Sequence, residues 1–136
     1  MYETFDHTAD LGLRIRAPDL DRLFAEAAEA LFSVIVEDLR TVRADEVVDV
    51  RIDGDERDYL LFDWLKALLY HFDAEHRLFS RFEVRLRPGG LDARAWGERL
   101  DRQRHELSHE VKAITYHGLT VEPAEGGWTA EVIVDI

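Results

Sequence analysis

The C-terminal run constrains this chain most. Trp128, Ala130, Val132 and Val134 alternate with Thr129, Glu131 and Ile133, a two-residue period that suits a half-buried strand and not a helix. The alternation predicts a strand carried through to Asp135-Ile136, which would hold the α-carboxylate of Ile136 beside the Asp135 side chain. Near the other terminus, Phe5-Asp6-His7-Thr8-Ala9-Asp10 is an acidic cluster. It leads into a second alternating run, with Leu11, Leu13 and Ile15 set against Gly12, Arg14 and Arg16. If these two strands are neighbours, carboxylates from both ends of the chain converge. Asp10, Asp135 and the terminal carboxylate of Ile136 would then offer oxygen donors only, a set that suits Ca²⁺, Mg²⁺ or Mn²⁺ better than a structural zinc.

The segments between follow the same logic. Pro18 closes the Leu11–Ala17 run, and Asp19 or Asp21 can cap a helix reaching about Val36. Its apolar set, Leu20, Leu23, Phe24, Ala27, Ala28, Leu31, Phe32 and Ile35, follows the spacing of one buried helical face. Val48, Val50 and Ile52 alternate with charges up to Gly54, predicting a strand. A second helix is expected from near Asp55 to near His76, with its stripe on Leu61, Trp64, Leu65, Leu68, Leu69 and Phe72. Phe82, Val84 and Leu86 begin a hairpin that turns at Pro88-Gly89-Gly90 and returns over Leu91–Leu100. Val111–Val121 and Trp128–Ile136 flank a turn signal at Glu125-Gly126-Gly127. Two helices among strands that arrive as hairpins indicate an α+β fold: two amphipathic helices packed on a largely antiparallel β-sheet, as one domain over residues 1–136.

Composition removes several function classes. The chain lacks cysteine, which excludes disulfides and thiolate metal sites. Its longest apolar stretches fall well short of the ~20 residues that span a bilayer, and its start lacks the basic and apolar pattern of a secretory signal, so a cytoplasmic protein with no membrane partner is expected. Acidic residues outnumber basic ones by 29 to 17, for a net charge of −12. Affinity for a phosphate backbone comes mainly from Lys and Arg, so this balance disfavours tight direct binding of nucleic acid and favours a cation or a basic protein. Oligomeric state is left open.

One motif suggests catalysis. His105-Glu106-Leu107-Ser108-His109 spells the HExxH pattern in which two His one helical turn apart bind zinc and the Glu activates water. That chemistry also needs a helix, a third ligand and a cleft. Here the motif stands just ahead of the strand-like run at Val111, and two of the available third ligands, Glu122 and Glu131, fall on hairpin strands, leaving Glu110. A polar connector whose His residues cap or hydrogen-bond is the expected role; a zinc metallohydrolase on His105, Glu106 and His109 is the rival. Walker-type and dinucleotide-binding glycine loops are absent, and Ser33, Ser80 and Ser108 lack a nucleophile-elbow setting.

The order Tyr2-Glu3-Thr4-Phe5-Asp6-His7-Thr8-Ala9-Asp10-Leu11-Gly12, then Leu31-Phe32, then Glu110-Val111-Lys112-Ala113-Ile114-Thr115-Tyr116-His117-Gly118-Leu119, and finally Trp128 with Asp135-Ile136, closely resembles the archease family. The Leu61–Leu69 helix and the Leu78-Phe79-Ser80 step are similar to it as well. Asp6 stands where the family is expected to carry Glu, a change between acids.

The resemblance implies a small cytosolic cofactor protein, not an enzyme, that activates the GTP-dependent tRNA-splicing RNA ligase. That ligase joins RNA ends bearing a 2′,3′-cyclic phosphate or 3′-phosphate to a 5′-hydroxyl. The activator promotes guanylylation of the ligase's histidine, restores it for multiple turnovers and can broaden the nucleotide triphosphates it accepts. tRNA is then a partner only through the ligase. The resemblance also implies a divalent cation held by Asp10, Asp135 and Ile136. Lys112 is expected to contact phosphate or tie down a carboxylate, His7 to orient Asp10, and His117 and Tyr116 to lie on the strand beside the terminus; Glu98 and Asp101 are expected to add acidity without ligating. The rivals to this reading are the metallohydrolase above and a general chaperone-like modulator of nucleic-acid-processing proteins.

Overall fold

A computed structural model describes residues 1–7 and 10–136, with His7 described in its backbone only. Among the described residues, seven strands and two α-helices follow in the order β1 (Tyr2–His7), β2 (Asp10–Ala17), α1 (Leu20–Ile35), β3 (Glu46–Asp53), α2 (Arg57–Glu75), β4 (Arg77–Arg87), β5 (Gly90–Arg99), β6 (Ala113–Ala124) and β7 (Gly127–Asp135), with one 3₁₀ turn at Leu39–Thr41. The α+β class stands, and the strands divide into two antiparallel sheets. One has the order β1-β2-β7-β6 and the other β3-β5-β4.

α1 joins the sheets, packing on β4 of one and β2 of the other, and α2 also touches strands of both. Its start follows the cap expected of Asp19, whose carboxylate accepts the Arg22 backbone N–H at 2.8 Å. Because it lies between the sheets, α1 buries Ala30 and Val34 as well as most of the predicted stripe. α2 packs mainly on β6 and begins at Arg57, slightly later than the acidic residues suggested; the Glu56 side chain makes no cap bond. It ends on His76 in the left-handed conformation. Trp64 of α2 is fully buried, and its indole N–H donates to the Phe24 carbonyl of α1 at 3.0 Å. One continuous core receives Leu13 and Ile15 from β2, Val132 and Val134 from β7, and the buried faces of both helices.

β1 is a strand that the sequence analysis did not foresee. Tyr2–His7 mixes exposed Glu3, Thr4 and Asp6 with half-buried Tyr2 and Phe5, so its periodicity is faint; it is an edge strand paired only with β2. No α-helix among the described residues is long and apolar enough to cross a membrane.

Gly97 of β5 lets the second sheet close. A Cβ there would stand 1.8 Å from the Leu78 carbonyl oxygen and 2.7 Å from its carbon, where the β4–β5 register shifts between Phe79 and Arg81. Backbone cannot yield as a flexible side chain does. Gly97→Ala is therefore expected to lower the unfolding free energy in urea by about 2–3 kcal/mol; an unchanged urea midpoint would refute this close approach.

Candidate metal centre and the surface around it

β2 and β7 run antiparallel with Asp10 directly opposite Asp135, Gly12 opposite Ile133 and Arg14 opposite Glu131. Residues opposite one another share a sheet face. The core takes Leu13, Ile15, Val132 and Val134, so Asp10 and Asp135 stand together on the other face. Two like charges directly across a ladder disfavour each other unless positive charge is supplied.

Two rows further along the same face, Arg14 supplies such charge. Its Nη1 donates to Glu3 Oε1 at 2.9 Å and its Nε to Glu131 Oε1 at 3.0 Å, while its guanidinium lies 4.7 Å from the centre of the Phe5 ring. Those two carboxylates, Glu3 first, hold the Arg14 pKa above its ordinary value. The Phe5 ring covers Gly12 so closely that a Cβ there would fall 2.2 Å from Cζ.

Alternation turns the Ile136 side chain toward the core, where it is half-buried and packed. This apolar anchor holds the chain end beside Asp135. The Asp135 carbonyl accepts the Lys112 backbone N–H at 2.8 Å, and Ala113 is the register partner of Asp135 on β6. The exposed Lys112 therefore starts from the same corner of the sheet as the carboxylates. His7 is the register partner of Asp10 on β1; the orienting role expected of its ring, and the Thr8-Ala9 part of the motif, fall outside the described residues.

His117 lies further along β6 than Ala113, exposed within the shifted register between Thr115 and Thr120, and so away from the Asp10–Asp135 row. Tyr116 turns toward α2 and stacks on Tyr59. Among the described residues, no three His, Cys, Asp or Glu side chains gather in a metal-binding group. The third oxygen donor beside the two Asp side chains would have to be the terminal carboxylate of Ile136. With that donor the set is all oxygen and anionic, which fits a hard divalent cation.

The model of the Archease protein family (MTH1598/TM1083) matches residues 2–136. The chain belongs to the archease family. Relatives carrying the name protein archease are 38% identical over 137 residues in Sulfurisphaera tokodaii, covering 99% of this chain and 98% of the relative. The corresponding protein of Methanopyrus kandleri is 40% identical over 139 residues, covering 99% of each. The solution structure of Methanobacterium thermoautotrophicum protein 1598 superposes with a TM-score of 0.84 at 37% identity, covering 99% of this chain and 98% of that one. A crystal structure from Thermotoga maritima, described as an archease, possible chaperone, shares the fold with a TM-score of 0.69 at 21% identity and coverage of 100% and 98%.

Within this archease fold, the HExxH segment is a connector, which corrects the metallohydrolase alternative. Residues 105–109 form no helix; Leu107 makes only an isolated bridge to Val36. His105 is 3% exposed and both ring nitrogens are engaged. Nδ1 accepts the Asp101 backbone N–H at 2.9 Å, so the proton sits on Nε2, which donates to Glu98 Oε2 at 2.8 Å. His109 is exposed. Neither imidazole is presented with the other on a shared helical face.

Glu98 belongs to the same cluster and not to the carboxylate row. It accepts from Nη2 and Nη1 of Arg104, at 2.5 and 2.9 Å, and from the Arg43 backbone N–H at 2.7 Å. The sequence missed this cluster because its members come from β5, the connector and the segment ahead of β3.

The Arg104 hydrogen bonds, aided by Arg43 and His105 against the cost of burial, bring the Glu98 pKa from 4.5 down to about 2. A depressed folded-state pKa contributes stability that is complete above 4.5 and is lost as pH falls from there toward about 2. The difference in unfolding free energy between wild type and Glu98→Gln, from urea titrations, should therefore shrink across that window. A difference independent of pH would show that Glu98 is not held as its anion.

Proposed function

We propose that this archease is a cytoplasmic, non-catalytic activator of the GTP-dependent tRNA-splicing RNA ligase, promoting its guanylylation and repeated turnover and broadening the nucleotide triphosphates it takes. The observation that carries the proposal is the direct pairing of Asp10 with Asp135 across β2 and β7, beside the packed Ile136. In this reading Asp10, Asp135 and the terminal carboxylate of Ile136 hold a divalent cation, Ca²⁺, Mg²⁺ or Mn²⁺. Bound there, the ion supplies positive charge of the kind that stabilises a polyphosphate during nucleotidyl transfer.

The chain's own groups do the presenting. β2 and β7 fix the two Asp side chains on one sheet face, and the apolar Ile136 side chain anchors the terminal oxygens. Lys112, tied through its backbone to Asp135, brings an ammonium to the same corner to meet phosphate or a carboxylate. The net charge of −12 suits docking beside the basic, RNA-binding mouth of a ligase, so tRNA is met through the ligase.

The test is ligation by substoichiometric cognate ligase with and without this protein. Wild type is expected to raise product beyond one turnover per ligase, and Asp10→Ala or Asp135→Ala to abolish the gain while the variants remain folded. Equal yields with and without the wild type would overturn the proposal. Ligase binding that is unaffected by both substitutions and by removal of divalent cations would favour a chaperone-like modulator. Appending one residue after Ile136 should reduce stimulation strongly; full activity of the extended chain would remove the terminal carboxylate from the ligand set.

A further inference from the structure

The most conspicuous aromatic surface of the molecule lies where α2 meets β6. Tyr59 and Tyr116 stack with ring centres 4.7 Å apart and an interplanar angle of 11°, and Phe62 meets Tyr116 edge-on at 5.7 Å. Tyr116 is thus the middle ring and Tyr59 the outer one. The two tyrosines remain 50% and 41% exposed, among the few large hydrophobic side chains that do. A stack of this size costs apolar exposure that a free surface does not need.

Several rings of this chain, Phe62 of this cluster among them, have one of its own cations over a face. Arg14 lies over Phe5 at 4.7 Å, Arg57 over Trp128 at 4.6 Å, Arg81 over Trp96 at 4.5 Å and Lys66 over Phe62 at 5.8 Å. Among the described residues, none of these contacts falls on Tyr59 or Tyr116. Asp58 and Glu56 stand near enough to act on the Tyr116 phenol, while Lys66 is engaged over Phe62. The hydrogen bond with Tyr59 and burial push that phenol up to about 12, and the two carboxylates add to the effect. The Tyr116 ring therefore stays neutral through the physiological range.

An uncovered aromatic face beside carboxylates is matched by a guanidinium, which stacks on the ring while its N–H fork meets the carboxylates. A nucleic-acid base would also stack, but its phosphates would meet the acidic rim. We infer that the Tyr59–Tyr116 stack, rimmed by Asp58 and Glu56, receives an arginine side chain of a basic protein partner. The surface lies on the helix side of β6, whereas Asp10 and Asp135 stand on the outer face of that sheet. It offers a contact separate from the proposed cation site, and the basic partner is taken as the ligase of the preceding proposal, on which this inference rests.

The experiment titrates wild type and variants into the cognate ligase and reads the concentration giving half-maximal stimulation. Tyr59→Ala with Tyr116→Ala should raise that concentration by about tenfold, whereas Tyr59→Phe with Tyr116→Phe, which keeps both rings, should stay within about twofold. If the double alanine variant fails to fold by circular dichroism, Glu56→Gln with Asp58→Asn replaces it and should raise the concentration about threefold and flatten its dependence on salt. Stimulation by wild type with unchanged half-saturation in the alanine or amide variants would overturn this docking surface alone. Absence of stimulation by wild type would overturn the activator proposal and this inference with it.

Discussion

Hydrogen bonding between β2 and β7 joins the two ends of the chain, and the rest of the architecture depends on its register. These strands are far apart in sequence, so pairing them closes a long loop whose entropy must be offset by what the pairing buries. The offset comes from the face that carries Leu13 and Ile15 against Val132 and Val134, all fully buried. A slip of one residue would send these side chains to the opposite face. The same slip would separate Asp10 from Asp135. The core therefore enforces the carboxylate row, although no atom of that row lies in the core.

α1 extends that constraint to the second sheet. Its burial on β2, β4 and β7 explains why alanines recur along it: Ala27, Ala28 and Ala30 are fully buried where longer side chains would hold the sheets apart. Charge is distributed with similar economy. Arg14 links two acids across three strands, and Glu98 is enclosed by two arginines and a neutral histidine.

The HExxH segment shows how context decides the meaning of a motif. The spacing of His105 and His109 implies zinc only if a helix turns both rings to one side. In this archease the nearby Asp101 N–H and the Glu98 carboxylate claim both nitrogens of His105, and the extended connector sends His109 to solvent. Of the motif's residues, His105 serves a polar cluster that tethers the connector to β5, while Glu106 and His109 are exposed.

Much of the fold was legible from periodicity and turn chemistry. The alternation at Leu11–Ile15 and Trp128–Val134, the stripe from Leu23 to Ile35 and the Asp19 cap each have a local cause that residues express wherever they stand. β1 escaped because an edge strand buries too little to impose an alternation. The division into two sheets and the Tyr59–Tyr116 stack escaped because each joins residues distant in the chain, and the Glu98–Arg104–His105 cluster escaped because an irregular connector gives its spacing no periodic signal. The sequence by itself determined which residues form helices and strands, the acidic balance, and the family to which the chain belongs. Only the tertiary structure decided that Asp10 faces Asp135 and that His105 has no free nitrogen, because contact between remote segments is set by packing of the shared core and not by local preference.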